Sequence, residues 1–104
     1  MDEIQSNINK ALAEAQKVRD ELAVKSALGA AITKDKLAKL DNKYELFKEK
    51  SQKIFDVADD SADALKIAAE MGIEAKNKEE VMLALELAAE EIKYSYNKIQ
   101  NFIF

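Results

Sequence analysis

The chain has 104 residues, 48% hydrophobic and 35% charged, with a net charge of −4 and no His, Cys, Trp or Pro. That length suits one ordered domain with a modest core, and the missing side chains remove the usual catalytic triads, thiol chemistry and most metal-binding groups. Lys residues diluted by Asp and Glu, with Arg19 as the lone Arg, argue against nucleic acid; no apolar run approaches the roughly 18 residues of a membrane span; and the polar, acidic stretch Met1–Lys10 does not read as a secretory signal, so a cytoplasmic location is expected.

Ile4, Ile8, Ala11, Ala15, Val18 and Leu22 alternate in steps of four and three, the a/d spacing of a heptad seam, and Leu12 widens the stripe. The pattern predicts a helix over 3–28, stopped at Gly29 because glycine enters the left-handed conformation freely. A second helix is predicted over 34–71. Thr33 is its expected N-cap, Ile32 and Leu37 its hydrophobic staple, and Asp35 its first-turn anion. Its seam reads Leu37, Leu40, Tyr44, Phe47, Ser51, Ile54, Ala58, Ser61, Leu65 and Ala68, with Leu46, Phe55, Ile67 and Met71 alongside. Unbroken, it would be roughly 57 Å long. A break is conceivable at Asp59–Asp60–Ser61, with Asp60 as a new N-cap, but no Gly or Pro compels one, and continuity is the preferred reading. Gly72 ends the segment, with Ile73 folding back as in a Schellman motif. Asn77 and Glu80 then form a capping box for a third helix over 78–101. The seam of that helix is Val81, Leu85, Ala88, Ile92, Ser95, Ile99 and Phe102, with Met82, Ala89, Tyr96 and Ile103 as a second row.

The expected fold is all-α: an antiparallel three-helix bundle or coiled coil with a long central helix, or four helices if the middle one breaks near 59–61. In the unbroken form the outer helices cover opposite halves of the spine, and a second copy of the chain is the natural cover for the remainder, giving a homodimer. In the broken form three helices of ~24 residues pack with a short extra one. Residues 34–55 carry seven Lys and four acids, whereas residues 56–80 carry eight acids and three Lys. Such a division fits helix-to-helix charge matching or a self-complementary surface.

Asp56, Asp59, Asp60 and Asp63 would share one face of a continuous helix and are the candidate metal ligands, for Mg²⁺ or Ca²⁺; a solvated acidic face is the competing reading. Within them, Asp59-Asp60-Ser61-Ala62-Asp63 resembles the Asp-Asp-x-x-Asp motif of isoprenoid synthases over five residues, without that family's second acidic motif or larger fold. With Glu86, Glu90 and Glu91 added, the set is similar to the Mg²⁺ cluster of small all-α nucleotide pyrophosphohydrolases of the MazG type, although the order and spacing of the acids differ. No Gly-rich loop is present to cradle a phosphate.

Tyr94, Tyr96, Phe102 and Phe104, with Ile99 and Ile103, gather aromatic and apolar bulk at the end of the chain. They form either a packed patch, on the basic half of the middle helix or on Ile4 and Ile8, or an exposed anchor for a partner protein. Ile67–Ile73 followed by Glu79-Glu80-Val81 is similar in layout to small phage tail-fibre assembly chaperones. The expected function is therefore non-enzymatic: a small adaptor, inhibitor or assembly factor binding a protein partner of unknown identity through an exposed helix face, with no cofactor. A self-associating structural or assembly-chaperone subunit is the alternative, and a Mg²⁺-dependent pyrophosphohydrolase the remote one.

Overall fold

The computed structural model describes residues 2–26, 31–57 and 62–103, without the side chains of 2, 25, 26, 31–33, 102 and 103. Four helices occupy them: α1 (Asp2–Ser26), α2 (Ala31–Asp56), α3 (Asp63–Glu70) and α4 (Lys78–Ile103). There is no strand among the described residues. The molecule is a flattened rod, 48 × 24 × 17 Å.

The middle segment is not one spine. Lys50 Nζ lies 2.6 Å from Glu70 Oε2, yet twenty residues of unbroken helix would hold those positions about 30 Å apart. The chain therefore turns between α2 and α3, and α3 lies back along α2. Val57 N–H bonds the Ile54 carbonyl, closing α2 with a tighter turn. The proposed breakpoint, Asp59–Asp60–Ser61, and the seam position Ala58 lie outside the described residues. Three helices of 25, 26 and 26 residues with an extra one of 8 match the broken alternative, not the preferred one.

Two of the expected caps form. Gly72 has φ +79°; its N–H bonds Ala69 O, and Ile73 N–H bonds Ala68 O at 2.9 Å. That is the Schellman pair. Glu80 N–H bonds Asn77 Oδ1 at 2.9 Å. The returning carboxylate, Glu80 Oε2, accepts from the Lys76 N–H rather than from Asn77, so the box closes one residue early. Thr33 is not the N-cap, because α2 already begins at Ala31; Gly29 lies outside the described residues.

α1 and α4 share the most extensive contact of any two helices. Asn7 Nδ2 donates to Glu86 at 3.3 Å, Lys93 pairs with Glu14 at 3.1 Å, and Gln100 Nε2 donates to Glu21 at 3.1 Å. Each pair is 79 residues apart, and successive pairs lie seven residues further along both helices. Only parallel helices in constant register give that pattern. The pairs are exposed and each contributes at most about 1 kcal/mol; they mark the register. The apolar seam supplies the driving force, with Ile8, Ala11, Leu12, Ala15 and Leu22 of α1 and Val81, Met82, Leu85, Ala89, Ile92 and Tyr96 of α4 all buried. Beyond Leu85 the buried row moves from the predicted Ala88 and Ser95 to Ala89 and Tyr96. A straight helix at 3.6 residues per turn drifts away from a 3.5-residue repeat in this way.

α2 runs opposite to this pair. Arg19 meets Asp41, Tyr44 reaches Leu12 and Gln16, and at the other end Lys78 Nζ donates to Val57 O at 2.7 Å. Lys78 is buried against the C-terminal carbonyls of α2, where the helix dipole favours a cation. Leu37, Tyr44, Phe47, Ser51 and Ile54 form the buried face of α2, as their spacing predicts.

Candidate functional site

The acidic stripe requires one continuous helix and does not have it. Asp56 is the last residue of α2 and Asp63 the first of α3, both exposed; Asp59 and Asp60 lie outside the described residues. The Glu group takes other partners. Glu86 accepts from Asn7, Glu90 pairs with Lys93 at 2.8 Å, and both line a polar groove beside α1 that also holds Lys10 and Lys93. Glu86 stands eight residues, about 12 Å of helix, up α4 from Lys78, the residue whose side chain meets the end of α2. No cluster of three or more potential metal ligands occurs among the described residues.

The aromatic end divides. Tyr96 is fully buried, which removes it from the proposed partner face. Its ring meets Tyr44 edge-on, with centroids 6.2 Å apart and planes at 77°. Its hydroxyl donates to Asp41 Oδ1 at 2.6 Å. Arg19 joins the same node, with Nε 3.4 Å from Asp41, Nη1 on Glu45, and the guanidinium 5.3 Å from the centre of the Tyr44 ring. Arg19 of α1, three side chains of α2 and Tyr96 of α4 thus meet at a single point. Burial, then the Asp41 bond, hold the Tyr96 phenol well above the usual tyrosine range, and burial also raises Tyr44. Bonding to Arg19 lowers the Glu45 carboxyl. The Tyr96 hydroxyl, the Asp41 and Glu45 carboxylates and the Arg19 guanidinium bond one another, and the node clamps three helices. The parallel course of α1 places Ile4 and Ile8 at the opposite end of α4, so Tyr96 packs on the basic half of α2 instead.

Tyr94 points outward, 61% exposed, with Lys98 Nζ 5.5 Å above its ring. It continues a stripe containing Leu83 and Leu87, 47% and 73% exposed. Spacings of four and seven put all three on one face of α4. The two leucines fall between the predicted seam positions, so a search for core periodicity passes over them. Their signal is apolar residues on three neighbouring faces at once.

Past the Tyr94 end of this stripe, α2 and α4 leave an open trough of about 570 Å³. Leu40 and Ile99 line its apolar part, and Lys36, Lys39, Lys43 and Lys98 stand around it with Ser95; no carboxylate lines it. Lys36, Lys39 and Lys43 follow helical spacing one position before the seam residues Leu37, Leu40 and Tyr44. The positive balance of residues 34–55 was legible; its concentration along one edge depends on where α4 lies. Ile99 is half-buried in the trough wall, while the side chains of Phe102 and Ile103 and all of Phe104 lie outside the described residues. No helix among the described residues is long and apolar enough to cross a membrane. The chain matches no protein family, no curated protein and no solved structure.

Proposed function

We propose that this protein is a non-enzymatic protein–protein interaction module, a small adaptor, inhibitor or assembly factor that docks through the outward face of α4 and the trough beside it. The observation that carries this reading is the exposed stripe Leu83, Leu87 and Tyr94. Three large apolar side chains on one helix face cost solvation while they stay uncovered, and a partner that covers them gains about 25 cal/mol per Å² of apolar surface. Tyr94 and Ile99 remain in the proposed face, together with Phe102, Ile103 and Phe104 from the sequence; Tyr96 does not.

The test is affinity capture from a lysate of the source organism, comparing wild type with Leu87→Ser/Tyr94→Ser and with Phe102→Ser/Phe104→Ser. Loss of the captured protein with the first variant, at unchanged helicity by circular dichroism, is the expected result. Equal capture by both variants and wild type removes α4 from the proposal.

A further inference from the structure

We infer that the lysine trough is filled by the acidic half of α4 from a second copy of this chain, giving a two-fold dimer. This rests on the reading of α4 as a docking face and names its occupant.

The two halves of α4 are chemically opposite. From Glu79 to Ile92 the helix carries five Glu and no base, and this half exposes Leu83 and Leu87. Around its other half stand Lys98 and the α2 lysines Lys36, Lys39 and Lys43, bordering an apolar depression floored by Leu40 and Ile99. A stripe of leucines among glutamates is the complement of a hydrophobic trough among lysines. An antiparallel crossing of α4 over its copy brings each acidic half onto the other copy's lysines, and the symmetry makes the contact twice. The 26 residues of α4 run about 39 Å, long enough to contribute to the roughly 800 Å² per partner of a standard interface. Lysine stems cover apolar surface while their ammonium groups reach the rim, so the trough does not have to desolvate its charges to accept leucine. An unrelated acidic helix would satisfy only the trough and leave the leucine stripe bare; a second copy covers both.

The experiment is sedimentation or light scattering at about 100 μM, where a micromolar dimer is well populated. Three samples are needed: wild type, Lys39→Glu/Lys43→Glu, and Glu79→Lys/Glu91→Lys, each checked for helicity. Wild type should run at twice the 11.6 kDa chain mass. Each charge variant should be monomeric, because it opposes like charges across both contacts. Mixed one to one, the two variants should restore the dimer, since every contact again pairs opposite signs. Raising salt from about 0.05 to 0.5 M should weaken wild-type association by about tenfold. A monomeric wild type overturns the inference, and so does a mixture that stays monomeric. If wild type is monomeric but still captures a lysate protein through Leu87 and Tyr94, the dimer is wrong and the docking reading stands. If both fail, the docking reading falls as well.

Discussion

Along the α1 flank of α4, small buried residues meet: Ala11 and Ala15 on one helix and Ala89 on the other. Polar pairs recur every seven residues outside that seam. Along the α2 flank the contact is carried at separate points, the Tyr44–Tyr96 edge, the Asp41 bond and Lys78 at the far end, with the trough open beside them. Both flanks use helices of nearly equal length and similar composition. The residues bordering the seam differ. Alanine lets two backbones close until their side chains interlock, whereas Lys36, Lys39 and Lys43 must keep their ammonium groups in water and hold the edge open. Stability is concentrated on one flank, and unfilled surface on the other.

The two flanks should differ most when a site is emptied on each. Leu85→Ala, in the closed core, should cost about 2–5 kcal/mol in urea denaturation. Leu40→Ala, at the trough, should cost less, about 1–2 kcal/mol, because Leu40 packs on the core on one side and borders the open trough on the other. Equal losses would mean that the trough is packed after all.

Next in size is Tyr96→Phe, which removes the donor to Asp41 and should cost about 1–3 kcal/mol. Its pH signature separates it from a packing change. The Tyr44 and Tyr96 phenols titrate higher in the folded protein than in the unfolded chain, where tyrosine ionises near pH 10. Their contribution is complete below about pH 10 and is lost as pH rises beyond it, because the unfolded chain then releases its protons first. Denaturation midpoints between about pH 8 and 11 should fall more steeply for wild type than for Tyr96→Phe. Parallel curves would show that the phenol is not the group that titrates.

The smallest effect is expected at Ser51, on the buried face of α2. Its hydroxyl is fully enclosed and makes no hydrogen bond. Ser51→Ala deletes an unpaired polar atom without opening a cavity of consequence, so thermal unfolding should show no loss or a gain of up to about 1 kcal/mol. A clear loss would reveal a partner for Ser51 and a tighter α2 flank than the geometry implies.

What was legible in the sequence follows the range of the interactions that decide it. The Gly72 turn and the Asn77 cap are settled within five residues: the turn forms as read, and Asn77 caps Glu80 as read, while the returning Glu80 carboxylate closes on Lys76. Most seam residues of α1 and α2 are buried, with Ile4, Val18 and Leu40 partly so, because burial follows local periodicity. The turn between α2 and α3 was legible only as the second reading, near Asp59–Asp60–Ser61, because no Gly or Pro marks it; Lys50 meeting Glu70 makes the fold-back plain. The α1–α4 pairing was hidden too, since two amphipathic stripes do not say which stripe they face. Among the proposed partner residues, Tyr94 and Tyr96 are two positions apart and share a residue type. Their fates differ because a helix turns about 200° between them; the second apolar row, Met82, Ala89 and Tyr96, already sets Tyr96 on the inner side, and a grouping by aromatic type overrides it.

The constant offset of 79 residues between α1 and α4 bears on how the chain comes to be folded. Helical proteins usually fold fast because their contacts are local in sequence. Here the best-packed pair is among the most distant, so its loop-closure entropy has to be met before its seam contributes. During synthesis the apolar side of α1 emerges long before α4 exists to cover it. Until then α2 is the neighbour among the described helices that can shield part of it.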